Sequence, residues 1–176
     1  VEPRLQGARL GLQVQFGEIL SKDEVQADAE AQVVLREVID DEQADPMMRM
    51  RAKKALARTF IREGLLDEAE KVLIDCLDFF LTEEACKGLD CRFAGGARQN
   101  LANVAAQRGL HDLAVEQHGI VASKLRRERG QRDRDTIHAV SALGQALLDA
   151  GRPEEAMAVV AEILTDATQV LGAGHA

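Results

Sequence analysis

Residues 142–157 read ALGQALLDAGRPEEAM, and two earlier stretches repeat this pattern without a gap. They are ALARTFIREGLLDEAE at 55–70 and NLANVAAQRGLHDLAV at 100–115. All three follow the pattern L-[AG]-x6-G-x4-A, and the marker glycines Gly64, Gly109 and Gly151 lie 45 and 42 residues apart. Because a period of this length suits a pair of helices with their turns, the pattern predicts a helical repeat protein.

Each marker has a structural meaning in such a repeat. The glycine predicts a helix end, since Gly adopts the left-handed C-terminal conformation without a Cβ penalty. A second helix then begins, and in the last repeat Pro153 occupies its first turn. Small residues are predicted to let the two helices of each unit approach closely: Ala57, Ala102, Gly144, Ala69, Ala114 and Ala156.

At these residues the chain resembles the tetratricopeptide repeat superfamily, whose consensus places Leu, a small residue, Gly and Ala in this order. Residues 135–176 are similar to the kinesin light chain type of repeat, and LGAGHA at 171–176 resembles that type's LG-x-x-H-P, with Ala176 in place of Pro. The resemblance implies an all-α fold: a right-handed α-α superhelix, or solenoid, of stacked antiparallel helical hairpins. It also implies that first helices line a concave groove, which usually binds a peptide or a helix.

The predicted domain organisation is one solenoid of four units. The first unit contains two apolar-periodic segments but lacks the glycine and the spacing, so it is interpreted as a degenerate or capping hairpin. The predicted ranges are 1–44 for this hairpin, then 45–89, 90–132 and 133–176 for three repeats of the tetratricopeptide type, the last of the kinesin light chain type.

Charge, apolar runs and cysteine content limit the expected partners and the expected location of the protein. A formal net charge of -8 and a pI of about 5.1 disfavour binding to a nucleic-acid backbone. No apolar run approaches the roughly 18 residues of a membrane-spanning helix. The odd set of Cys76, Cys86 and Cys91 favours free thiols in an intracellular, cytoplasmic setting. An organelle-targeting segment outside this sequence would change that expectation.

A basic row is the first candidate binding feature. Arg51, Lys54, Arg58 and Arg62 are spaced to share one face of the first helix in the second unit. Four cations on an otherwise acidic protein could receive the carboxylates or phosphates of a partner, which would then be an acidic peptide. The alternative is a solvated helix face, or one neutralised by acidic residues nearby such as Glu63.

Polar residues continue this row in the same repeat register. They are suited to hydrogen bonding with an extended peptide backbone: Gln99, Asn103, Gln107, His138, Ser141 and Gln145. Another histidine, His118, aligns with Leu73 and Val160, which predicts a partly buried helix contact with a local hydrogen bond rather than a metal ligand.

No catalytic set is predicted. The sequence contains no GxxxxGK[ST], GxSxG or HExxH, and its histidines are dispersed, so neither an enzyme nor a metal or other cofactor is expected. The predicted function is a non-catalytic protein–protein interaction scaffold within a larger assembly. The alternative is a ligand- or peptide-sensing regulatory segment of a larger multidomain protein.

Overall fold

The described part of the computed structural model covers residues 2–20, 28–82 and 92–172, and it consists of helices joined by turns, without strands. This confirms the predicted all-α class. Two helices fall in each of the four predicted ranges, whose boundaries stay a prediction. The helices of this part of the chain are α1 (Glu2–Leu20), α2 (Asp28–Asp40), α3 (Pro46–Arg62), α4 (Leu66–Thr82), α5 (Arg92–Gln107), α6 (His111–Arg129), α7 (Arg134–Asp149) and α8 (Pro153–Gly172).

The three marker glycines end the first helix of each repeat, as predicted. Gly64 has a φ of 76°, and its N–H donates to the Ile61 carbonyl at 3.2 Å while Leu65 N–H donates to the Phe60 carbonyl at 2.9 Å. This pair of bonds satisfies helix-end carbonyls in the Schellman arrangement. The same two bonds recur at Gly109 and Gly151, whose φ angles are 75° and 71°.

Helix starts are encoded just as locally. Asp45 caps α3, because its carboxylate accepts a hydrogen bond from Met48 N–H at 2.9 Å and Pro46 follows in the first helical position. Asp133 caps α7 by accepting from the N–H groups of Asp135 and Thr136. These two caps fix where α3 and α7 begin.

By its contacts the chain divides into two compact units, unit 1 (1–100) and unit 2 (101–176). In unit 1, α1 packs on α2, α3 packs on both of them, and α4 packs on α3. Its core is closed by fully buried apolar side chains, among them Leu10, Val14, Leu35, Leu73 and Phe80. Burial of such side chains is the dominant favourable term in folding.

Unit 2 is built from the packing of α6 on α7 and of α7 on α8. One core cluster joins Val121 and Ala122 of α6 to Ala139 and Val140 of α7, with Leu143 packed against it. The other core cluster consists of alanines from three helices: Ala105, Ala114 and Ala146. Three small residues therefore pack together where these helices meet, and Ala114 is one of the small contact residues that the repeat pattern predicts.

The first hairpin carries the repeat register too, which the sequence pattern did not reveal. A Cβ at Gly17 of α1 would lie 2.6 Å from Leu35 Cγ on α2, and one at Gly144 would lie 3.1 Å from Val160 on α8. Phe16 and Gly17 thus stand where the other repeats have Leu followed by Ala or Gly. In the other repeats the two small residues are twelve positions apart, as Ala57 and Ala69 are. In the first hairpin Gly17 and Ala31 are fourteen positions apart, so the repeat pattern does not match there.

His118 on α6 lies inside unit 2. Its side chain is only 5% exposed, which confirms the predicted helix contact, but its Nδ1 has no hydrogen-bond partner within the described residues. The predicted local hydrogen bond is therefore not made by this nitrogen. Burial lowers the pKa of the imidazole from its ordinary 6.5.

The pKa of His118 predicts how stability depends on pH. We expect the free energy of unfolding to fall as the pH drops below about 6.5, because the unfolded chain then binds a proton that folded His118 resists. This loss is at most about 1.4 kcal/mol per pH unit and stops at the folded-state pKa. His118→Leu should remove it, and denaturant unfolding of both proteins at about pH 7.5 and 5.5 measures the difference. Equal losses in both proteins would contradict the prediction.

Candidate partner-binding surface

The basic row on α3 is held by the last turn of α1. Arg51 binds Glu18 with two hydrogen bonds, from Nη2 at 2.9 Å and from Nε at 3.3 Å. Arg58 Nη2 donates to the backbone carbonyl of Glu18 at 3.0 Å. Two parallel bonds between a guanidinium and a carboxylate fix geometry as well as charge. A carboxylate of the chain itself therefore occupies the Arg51 end of the row.

Lys54 lies beside an aromatic ring. Its Nζ is 5.0 Å from the centroid of Phe93 on α5, and the Arg51 guanidinium is 5.4 Å from the same centroid. Phe93 in turn stacks on Phe80 of α4 with 5.7 Å between centroids. Burial lowers the pKa of Lys54, and the charge of Glu18 opposes that shift. The cation is thus held by cation–π and ionic contacts in a partly dehydrated place.

Arg62 closes the other end of the row. It binds Asp28 of α2 through Nη2 and, at 3.0 Å, through Nε, and both side chains are mostly buried. Glu63, one of the acidic residues suggested by the sequence, accepts a hydrogen bond from Gln32 at 2.7 Å. Two carboxylates thus pair with the row. Glu18 on α1 lies 33 positions before Arg51, and Asp28 on α2 lies 34 positions before Arg62.

The uncharged polar residues fall into two places. Gln99 is half-buried on α5 in unit 1. In unit 2, Ala105 of α5 and Ala146 of α7 belong to one core cluster with Ala114 of α6, and both first helices carry exposed polar side chains. This polar row consists of Asn103, Gln107, His138, Ser141 and Gln145. The structure therefore leaves these five predicted residues exposed on the first helices α5 and α7, and their joint role in binding stays a prediction.

A groove between α7 and α8 was not predicted from the sequence. This C-terminal groove encloses about 410 Å³ and is lined by Ser141, Gly144, Gln145, Leu148, Ala156, Met157, Val160 and Ala161. Ser141 and Gln145 give it a polar edge, whereas Leu148 and Met157 leave exposed apolar side chains in it. The repeat register gives no signal for it, because Leu148 and Val160 take the positions of Ile61 and Leu73, which are buried.

The cysteines and the C-terminal histidine are not part of the candidate binding surface. Cys76 of α4 is buried, and burial raises the pKa of its thiol to about 12. Cys86, Cys91 and His175 lie outside the described residues. Arg126 of α6 pairs with Glu162 of α8 at 2.8 Å.

Residues 2–20, 28–82 and 92–172 lack two further kinds of feature. They contain no group of three or more His, Cys, Asp and Glu side chains able to hold a metal ion. No helix in these ranges is long and apolar enough to cross a bilayer.

Known proteins share this fold. Residues 136–176 match the model of the tetratricopeptide repeat family. A crystal structure of a Podosopora anserina putative kinesin light chain with nearly identical TPR-like repeats aligns with a TM-score of 0.72 at 18% identity, covering 92% of this chain and 76% of that one. A substituted form of that protein aligns at 0.71 and 17%, covering 93% and 76%. No curated protein matches the chain significantly.

These likenesses confirm the predicted resemblance. The chain has a helical repeat fold of the tetratricopeptide type, and its solved neighbours carry kinesin light chain repeats of that type. Such repeats stack into extended surfaces and are typical of non-catalytic protein-interaction modules.

Proposed function

We propose that this chain, a helical repeat protein of the tetratricopeptide type, is a non-catalytic scaffold that docks a partner peptide, helix or subunit within a larger assembly. The observation that carries the proposal is the exposed polar row of unit 2 on α5 and α7. Amide, imidazole and hydroxyl groups can donate to and accept from the backbone of an extended peptide without the desolvation penalty of a full charge.

The basic row of unit 1 is a separate candidate for docking an acidic partner. An acidic partner would bring carboxylates or phosphates to Arg51 and Lys54, and it would have to take the place that Glu18 occupies. Reversing the charge of Arg62 is a poor test of such binding, because it would leave the mostly buried Asp28 beside a second negative charge. The polar row can be altered with less risk to folding.

A triple alanine variant tests the scaffold proposal. Asn103→Ala, Gln107→Ala and His138→Ala remove exposed side chains that lie outside the C-terminal groove. We expect recovery of the main partner to fall about ten-fold or more, since two or three hydrogen bonds of about 1 kcal/mol each are lost. The measurement is affinity capture with quantitative mass spectrometry, using the whole chain as bait.

The matched control places three alanines on exposed positions of α6, at Glu116, Ser123 and Arg127. Both variants must show wild-type helicity by circular dichroism. Loss of the same partner from the polar-row variant alone supports the proposal, whereas identical partner profiles for all three proteins would refute docking on this row.

A further inference from the structure

Two cations and one carboxylate lie together in unit 1, on α3 and α1. Arg51 binds the carboxylate of Glu18 with two hydrogen bonds, at 2.9 Å and 3.3 Å. Lys54 follows Arg51 on α3 and has no hydrogen-bond acceptor among the described residues. Its ammonium lies 5.0 Å from the centroid of the Phe93 ring. Two positive charges are therefore set against the one negative charge of Glu18.

This excess of positive charge is partly dehydrated. Burial lowers the pKa of Lys54, the charge of Glu18 opposes the shift, and the charges of Arg58 and Arg51 add to it. The face of Phe93 attracts the ammonium, but the ring does not replace the hydrogen bonds that the ammonium would make in water. An anion bound at this place would supply acceptors and would balance the charge, so it would be held more strongly than at an exposed lysine.

The place can be reached from solvent. The side chains of Arg51 and Glu18 are 27% and 25% exposed. On the α5 side, a Cβ at Gly95 would meet nothing within 4 Å, and a Cβ at Gly96 would lie 3.3 Å from Lys54 Nζ. The two glycines therefore leave room beside the ammonium. The first turn of α5 contains no acidic residue, and its N–H groups add partial positive charge on this side.

The carboxylate already present decides which anion can bind. Glu18 belongs to the same chain, so it competes with any ligand at a high effective concentration. A single carboxylate from a partner would only replace one negative charge by another. A phosphate monoester carries a charge of about -1.5 to -2 at pH 7 and has three acceptor oxygens. It can pair with Arg51 through two bonds and with Lys54 through a third, which balances both cations at once.

We propose that Arg51 and Lys54 bind the phosphate group of a phosphorylated side chain on a docking partner, and that this phosphate displaces the carboxylate of Glu18. The inference rests on the proposed scaffold function and gives its basic row one partner chemistry. Glu18 is then an internal competitor, which keeps unphosphorylated acidic peptides from the two cations. Docking on this row depends on whether the partner is phosphorylated.

Three peptides test the proposal on the full 176-residue chain. They are short alanine peptides that carry one central phosphoserine, glutamate or serine. NMR titration of the isotope-labelled protein at low salt measures each dissociation constant, and at about pH 7.5 the phosphate is mostly dianionic. We expect the phosphoserine peptide to bind about ten-fold tighter than the glutamate peptide, because it adds a charge-assisted hydrogen bond. The serine peptide should not bind.

Two substitutions separate the binding site from the fold. Lys54→Met keeps the apolar stem without the charge and should weaken binding of the phosphoserine peptide about ten-fold or more. Glu18→Gln removes the internal competitor and should instead tighten binding of both charged peptides by about three-fold or more. A folding defect would not produce such a gain, so Glu18→Gln decides the matter even if Lys54→Met loses helicity. The matched control is Glu42→Gln, which makes the same charge change at an exposed position and should bind like the wild type.

Inorganic phosphate separates two sources of the same chemistry. It should bind no tighter than the phosphoserine peptide, and binding about ten-fold tighter would show that the ligand is the free anion rather than a partner side chain. The phosphate site would be refuted by equal binding of the phosphoserine and glutamate peptides, by no gain in Glu18→Gln, or by no binding up to roughly 10 mM.

The polar-row variant of the scaffold proposal serves as a further control. It leaves Arg51 and Lys54 intact and should bind the phosphoserine peptide like the wild type. Failure of the phosphate site is therefore distinguishable from failure of partner docking on the polar row.

Discussion

Replacing Ala114 with leucine is expected to lower the free energy of unfolding by about 1–3 kcal/mol, the usual effect of forcing extra methylenes into a packed core. Ala114 is almost fully buried on α6 and belongs to one cluster with Ala105 of α5 and Ala146 of α7. Three helices meet there through methyl groups, so an isobutyl group has no space unless the helices separate. Separation would expose apolar surface in all three.

The matched control for this variant is Ala158→Leu on α8, where the alanine is exposed. It adds the same atoms at a site free of crowding and should change stability by less than about 0.5 kcal/mol. Urea denaturation of both variants at one pH measures the two effects. If Ala114→Leu were as stable as the control, the close approach of α5, α6 and α7 would be wrong.

Gly17→Ala is expected to destabilise the chain although it raises helix propensity. Alanine in place of glycine inside a helix normally stabilises it by about 0.5–1 kcal/mol. Here the new Cβ would lie 2.6 Å from Leu35 Cγ, and Leu35 is fully buried, so its side chain has little room to move. Overpacking of about 1–3 kcal/mol should therefore outweigh the propensity gain.

Gly7 offers a matched control on the same helix, because a Cβ there would meet nothing within 4 Å. Gly7→Ala should stabilise the chain and Gly17→Ala should do the opposite, as followed by thermal and urea unfolding. Adding Leu35→Ala to Gly17→Ala should be less harmful than the sum of the single changes, since removing the leucine relieves the clash. Stabilisation by Gly17→Ala would contradict the assigned register of the first hairpin.

The sequence predicted the repeat markers because each acts locally. Gly64, Gly109 and Gly151 end helices through bonds to carbonyls only a few residues earlier. Such signals recur at a fixed period and need no knowledge of the rest of the chain. The first hairpin was harder to recognise because two additional positions between Gly17 and Ala31 shift its second helix out of that period.

The candidate site was only partly predictable. Helical spacing places Arg51 and Arg62 on one face of α3, but it does not tell which carboxylates approach that face. Glu18 and Asp28 do so from other helices, and their contacts turn a row of cations into a set of ion pairs. Because charge pairing depends on distance in space, no local pattern could have assigned these partners.

The amino-acid sequence by itself determined that this protein is an all-helical repeat of the tetratricopeptide type, since periodicity, helix caps and small contact residues are all written in short stretches. Only the tertiary structure decided which apolar surface is covered. Leu148 and Ile61 hold the same repeat position, yet one is exposed and the other buried, because burial depends on whether another helix lies across the hairpin. The sequence gives both positions an apolar side chain, and the packing of neighbouring helices decides which of the two is buried.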